Sequence, residues 1–292
     1  MNKTDENKKS NKAGARGAEG KDSSRPGPVV VPVVPPEDTG PDGFPEIHPN
    51  LPQIAGPGGG ALLLMISPVR TGKSTIISNL LLGDSDMGFY DAQERFATTT
   101  IISNTIANDV TSRFLAKAFD THDSYNDNII DGIVHQQKSY DKEEQPEIAV
   151  ILDDCLGSIR REARINHLAS RFRHFNIKLL VISSQNFRSC SPIIRQNATN
   201  VIVGSPFPNQ KELGKMAEEY GDVFGGGDNW LKIYKKATPE KYSFLHMDFQ
   251  SNPPKAYRSF EELIAVGENI VGEVPDLSDE EDLELDDPKK KV

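Results

Sequence analysis

Residues 67–75, Ser-Pro-Val-Arg-Thr-Gly-Lys-Ser-Thr, have the types and spacing needed to hold a phosphate chain. They fit G-x-x-x-x-G-K-[ST], with Ser67 where the first glycine belongs. In such a loop Pro68, Val69, Arg70 and Thr71 carry the backbone round the phosphates. Its N–H groups and the positive end of the following helix, entered through Thr75, supply the attraction. Gly72 lets backbone approach a phosphate oxygen, Lys73 reaches the β and γ phosphates, and Ser74 offers a hydroxyl to Mg²⁺. Serine at the first position keeps the lysine and the hydroxyl, and leaves the tightness of loop closure as a question for the structure.

Two further groups complete a nucleotide chemistry. The apolar run EIAVILDDC delivers Asp153 and Asp154 to the carboxyl end of a strand, the edge where ligands bind in an open parallel sheet. One carboxylate there can hold Mg²⁺ through water and the next can orient the attacking water, so Asp153 is assigned to the metal and Asp154 to the water. The alternative for Asp154 is a cap on the next helix. Ser183-Ser184-Gln185-Asn186 ends another apolar run, and Gln185 is placed to sense a γ-phosphate, or else to bond a neighbouring backbone. Arg195 and Arg188 follow as candidates for an arginine finger acting across a subunit boundary, or as ordinary surface arginines.

These residues need a sheet to position them. Apolar runs at 61–66, 98–103, 147–152, 178–183 and 200–204 alternate with helix-like stretches at 73–82, 109–119, 160–174 and 209–220, Asp109 serving as an N-cap. That alternation predicts an α/β fold with a mainly parallel sheet. After Gly225-Gly226-Gly227, the stretches WLKIYKK and KYSFLHMDF read as antiparallel edge strands that extend the sheet, and a segment with Phe260, Leu263 and Ile264 closes it.

Composition assigns the rest. Residues 1–60 form a Pro/Gly-rich segment too polar to fold alone, 61–271 the folded domain, and 272–292 an acidic tail ending in Pro288-Lys289-Lys290-Lys291. From Glu273 onward nine acidic side chains face three lysines, so the tail carries −6 of the net −10 and leaves the remainder near balance. An acidic total therefore does not exclude a polyanionic partner. Arg160, Arg161, Arg164, Arg171, Arg173 and Lys178 against Glu162 make a local basic stretch, for phosphate contact or for a solvated helix face. Cys155 and Cys190 suggest reduced core thiols rather than a disulfide framework. No apolar run is long enough for a bilayer span and no signal-peptide pattern is present, so a soluble, non-secreted protein is expected.

The order of these motifs is more specific than any one of them. SPVRTGKST, then AVILDDCLGSI, then RHFNIKLLVISSQNFRSCSPIIRQNATNVIVG resembles the poxvirus-type genome-packaging ATPases of large eukaryotic DNA viruses, virophages and Polinton-like elements, within the FtsK–HerA superfamily. The likeness lies in R-H-x-N-I before a strand, S-x-Q at its end and P-x-I-R-x-N before the next, and it spans about residues 61–250. It implies a RecA-like P-loop ATPase core working as a homo-oligomeric ring, a hexamer, that threads double-stranded DNA into a preformed capsid. ATP and Mg²⁺ would be its cofactors and a capsid protein a further partner. It also implies phosphate and metal contacts at Lys73 and Ser74, a metal-side carboxylate at Asp153, a catalytic base at Asp154, a sensor at Gln185 and a finger at Arg195. Localisation would be intracellular, at the site of virion assembly. Another DNA-pumping or partition ATPase of the superfamily, and a non-hydrolysing nucleotide switch, are the alternatives.

Overall fold

Residue 61 begins a strand because six consecutive apolar side chains leave no polar face to solvate. The computed structural model describes residues 46–55, 59–106, 112–158 and 163–272, all within one compact unit. In it β1 (Ala61–Ile66) is buried along its whole length. Alternate side chains serve two cores: Leu62, Leu64 and Ile66 enter one, Ala61, Leu63 and Met65 the other. A strand buried on both faces belongs in the middle of a covered parallel sheet.

Parallel to β1 run β5 (Ile177–Ser184) on one side and β6 (Asn200–Gly204) on the other. Beyond β5 come β4 (Ile148–Asp153), β2 (Thr98–Ser103) and the short β3 (Asp120–His122), all parallel. On the other flank β7 (Phe244–Asp248), β8 (Lys255–Arg258), β9 (Glu262–Val266) and β10 (Asn269–Ile270) continue the sheet antiparallel. The ten strands stand in the order β10-β9-β8-β7-β6-β1-β5-β4-β2-β3. The α/β architecture with a parallel centre and an antiparallel C-terminal extension is as expected.

Helices cover both faces. α1 (Lys73–Leu82), α2 (Ala92–Arg95) and α3 (Ser112–Ala118) pack on the core of Leu63 and Met65. α4 (Asp127–Lys138), α5 (Arg164–Arg171), α6 (Pro192–Asn197), α7 (Gln210–Tyr220) and α8 (Gly227–Ala237) pack on the core of Leu64 and Val203. Asp109, Arg160, Arg161 and Glu162 lie outside the described residues. Cys155 and Cys190 are buried thiols, both pushed up to about 12 by burial.

One expected element is different. WLKIYKK is not an edge strand but the body of α8, which buries Trp230, Ile233, Tyr234 and Ala237 at positions i, i+3, i+4 and i+7. Helical periodicity wins because this face has a prepared bed: Trp230 Nε1 lies 3.1 Å from Met247 Sδ and Tyr234 donates to the Gly204 carbonyl at 3.0 Å. The antiparallel strands come later, from Phe244 onward.

His246 on β7 is fully buried, with Nε2 3.2 Å from the Asn200 amide and its ring against Tyr257 and Phe260. Desolvation pushes it down to about 4, against the pull of Asp248. The folded form thus holds it neutral, while the unfolded chain protonates it near its ordinary value. Stability from this group is complete above that ordinary value and lost as pH falls toward about 4, an effect of about 3 kcal/mol. Urea titrations at pH 7 and 4.5 should therefore show a smaller pH dependence for His246→Gln than for the wild type.

Candidate functional site

The loop between β1 and α1 is closed by its own side chains. Ser67 Oγ hydrogen-bonds Thr71 Oγ1 across the ends of the loop, and Thr71 donates to the Pro68 carbonyl at 2.6 Å. Ser67 N–H donates to the Ser184 carbonyl at 3.0 Å, fixing the loop to the end of β5. Arg70 and Gly72 both take positive φ, 62° and 95°, and Gly72 is the residue from which α1 springs with no side-chain cap. The first-turn N–H groups of α1 therefore lack a side-chain acceptor at its cap, as an anion site requires.

Ser67 finds room because Gly204 ends β6 beside it. A Cβ on Gly204 would lie 1.8 Å from Ser67 Oγ. The glycine absent from the loop is in effect supplied by the neighbouring strand. Gly204→Ala should lower the melting temperature through an overpacking cost of about 1–3 kcal/mol. In the paired variant Ser67→Gly/Gly204→Ala, thermal denaturation should recover much of the loss.

Lys73 lies in the same cleft, only 8% exposed, with Nζ donating to the Ser67 and Pro68 carbonyls at 2.7 and 3.1 Å. Burial lowers its pKa, and the charges of Asp154 and Asp153 oppose that shift. Facing it, Asp153 is the last residue of β4 and 5% exposed. Its Oδ1 accepts from Ser183 Oγ at 2.5 Å and its Oδ2 from Ser103 Oγ at 3.4 Å. Desolvation raises its pKa, with the Ser183 hydrogen bond the largest opposing effect. A carboxylate buried this deeply beside one lysine is suited to a further positive charge.

Asp154 stands just past the strand with φ 57°, its N–H donating to Ser183 Oγ at 3.0 Å. Among the described residues its carboxylate accepts from Gln185 Nε2 rather than from a helix N-terminus. Gln185 in turn bonds a side chain rather than a neighbouring backbone. β5 lies between β1 and β4, so Gln185 reaches the cleft from the strand that separates the phosphate loop from the acids. Val69, Arg70, Gly72, Lys73, Ser74, Thr75, Thr105, Asp153, Asp154 and Gln185 line a cleft of about 290 Å³.

Arg188 and Arg195 do not line it. They sit in a separate cleft of about 380 Å³ with Asn166 and Lys215. Arg195 is 18% exposed, paired to Glu219 at 2.7 Å and laid over the Phe187 ring. Arg188 is 61% exposed and reaches the buried Glu212 carboxylate at 2.8 Å. In the basic stretch, Arg164 pairs with Asp131, Lys178 with Glu147, and Arg173 donates to the Gly60 carbonyl.

Ser183 is the functional residue that the residue-by-residue reading left without a role, although it opens the S-x-Q signature. One hydroxyl donates to Asp153 and accepts from the Asp154 N–H, so it sets both carboxylates at once. As a positioning residue, its replacement in Ser183→Ala should reduce kcat by roughly 10–100-fold. ATP affinity measured by equilibrium binding should change far less. Thr105, from the loop after β2, was also unread; no pattern around it carried a signal.

No family model matches the sequence, and no curated protein matches it. Among solved structures, the chain is similar to the DNA-packaging ATPase B204 of Sulfolobus turreted icosahedral virus, with 18% identity over 68% of this chain and 97% of that one, at a TM-score of 0.49. The genome packaging NTPase B204 of Sulfolobus turreted icosahedral virus 2, in complex with ATP-gammaS, gives 16% identity over 70% and 100%, at 0.48. EssC (ATPases 2 and 3) from Geobacillus thermodenitrificans gives 14% over 54% and 34%, at 0.40. With scores below 0.5, the functional reading rests on the residues of the cleft.

Proposed function

We propose that the chain is an ATP-hydrolysing DNA translocase that packages double-stranded viral DNA into a preformed capsid. The observation that carries the hydrolytic part is the convergence of Lys73, Ser74, Asp153, Asp154 and Gln185 on one cleft from three parallel strands. The packaging part is supported by the order of motifs from Ser67 to Asn197, which resembles the poxvirus-type ATPases.

The donor set fits Mg²⁺. The Ser74 hydroxyl and the buried Asp153 carboxylate are hard oxygen ligands, and a hydrated Mg²⁺ characteristically uses one or two such groups with phosphate oxygens and water. When bound, the ion neutralises charge on the β and γ phosphates. The chain's own part is to seat the phosphates on the loop N–H groups and Lys73. Asp154, oriented by Ser183 and Gln185, accepts the proton of the attacking water. Gln185 bonds Asp154 and stands where it can report the γ-phosphate.

Arg195 is proposed as the finger offered to a neighbouring subunit of a homo-oligomeric ring, a hexamer by the family resemblance, with Arg188 as runner-up. Their cleft is separate from the nucleotide cleft of their own chain, which an arginine acting on a neighbour requires. The capsid protein is a further partner in this reading. Among the described residues no helix is long and apolar enough to cross a membrane. The test is phosphate release by the purified full chain with Mg²⁺-ATP, with and without linear duplex DNA. Stimulation by duplex supports translocation, whereas turnover indifferent to DNA removes it. Binding without turnover would favour a nucleotide switch.

A further inference from the structure

Beside the phosphate loop stands an aromatic side chain that the hydrolytic reading does not use. Residues 240–243 form a tight turn before β7, in which Ser243 Oγ donates to the Glu240 carbonyl at 2.6 Å and accepts from the Glu240 N–H at 3.3 Å. The turn holds Tyr242 at φ 74°, a conformation that bulky L-residues seldom adopt. A strained tyrosine would ordinarily be compensated by packing its ring into the core. Tyr242 instead remains 55% exposed.

The ring has two neighbours of consequence. Its Cδ1 lies 3.8 Å from where a Cβ on Gly72 would stand, so it flanks the phosphate loop at the start of α1. Lys241 Nζ lies 4.7 Å from its centroid. One turn further along α1, Ile76, Asn79 and Leu80 line a mainly apolar groove of about 490 Å³ shared with Leu51, Phe244 and Phe260. The exposed aromatic ring thus stands beside the phosphate loop at the start of α1, and the apolar groove opens one turn further along the same helix. Phosphate, ribose and base would need that succession of environments.

We infer that Tyr242 is the nucleobase-stacking residue of the site, positioned by its turn to hold the base of a nucleoside triphosphate at the mouth of the apolar groove. This rests on the nucleotide reading above and adds to it the group that recognises the base rather than the phosphates. Stacking accepts any flat π-face, so the residue supplies affinity for a nucleoside over a bare polyphosphate.

Equilibrium binding of ATP and of inorganic tripolyphosphate to the full chain separates the parts. In Tyr242→Ala, ATP should bind roughly 10–100-fold more weakly while tripolyphosphate binds as to wild type. Tyr242→Phe should bind both normally, and the melting temperatures of both variants should match wild type. The inference is overturned if Tyr242→Ala keeps wild-type ATP affinity, or if it loses tripolyphosphate to the same extent, which would make the tyrosine a prop for the loop. If wild type binds neither compound, the nucleotide reading itself fails and takes this one with it.

Discussion

Alanine in place of Lys73 should abolish ATP hydrolysis, by at least roughly 10²–10³-fold in kcat/KM. Two effects add in the same direction. The ammonium that would meet the β and γ phosphates is lost, and so is the positive charge that Lys73 sets against Asp153. With Lys73 gone, two carboxylates confront an incoming polyanion with Arg70 the remaining basic side chain among the described residues lining the cleft, so affinity should fall together with turnover. Lys73 also ties down the Ser67 and Pro68 carbonyls, so the loop itself should loosen. Steady-state phosphate release and nucleotide titration on the same preparation report both losses. Wild-type turnover in Lys73→Ala would mean that phosphate binds elsewhere.

Asp154→Asn should act differently. The amide keeps the size of the side chain and an oxygen for Gln185, but it cannot accept a proton from water. Turnover should drop roughly 10²–10⁴-fold, the range ascribed to a positioned general base. Affinity for ATP should hold or rise, because one negative charge leaves the cleft. Such a variant should retain ATP unhydrolysed, which filter binding with γ-labelled nucleotide would detect. A fall in affinity equal to the fall in kcat would instead place Asp154 among the metal-side ligands and reverse its assignment with Asp153. Burial and hydrogen bonding argue for the assignment made. Asp153 is anchored by Ser183 and Ser103 in the core, whereas Asp154 stands past the strand end with the Gln185 amide on its carboxylate.

The parallel centre of the fold was legible because β1, β4, β5 and β6 are buried on both faces, whereas the short, partly exposed β3 went unread. A run such as ALLLMI has no polar position and so admits few alternatives, and β1, β2 and β6 begin and end where the sequence places them. The antiparallel half was harder. In WLKIYKK the apolar side chains were read in alternation, but Trp230, Ile233 and Tyr234 belong with Ala237, one residue beyond the stretch considered. Only the receiving surface of Met247 and Gly204, distant in sequence, settles the period. α4 went unread although Ile130, Ile133 and Val134 share a face. Polar neighbours and Gly132 lower its local propensity, and it is held by tertiary packing and by the Asn126 cap on the Asn128 N–H.

The site shows the same division. Lys73, Ser74, Asp153, Asp154 and Gln185 could be named from spacing because each follows a strand end that the apolar pattern locates. What spacing could not give is the pairing across strands. Ser183 bridges the two acids only because β5 lies beside β4, and Ser67 substitutes for glycine only because Gly204 lies beside it. Tyr242 was invisible for a related reason: its place beside Gly72 depends on a turn some 170 residues away, as the numbering in the sequence shows.

The central claim is that one lysine and two adjacent carboxylates gather round a magnesium-bound triphosphate. A crystal structure of the full chain grown with Mg²⁺ and a non-hydrolysable ATP analogue tests it directly. The account predicts that Lys73 Nζ leaves the Ser67 and Pro68 carbonyls for the β and γ phosphates, with the metal between Ser74 and Asp153 and a water on Asp154. Density for the analogue anywhere else, with Lys73 still bonded to its own loop, would contradict it.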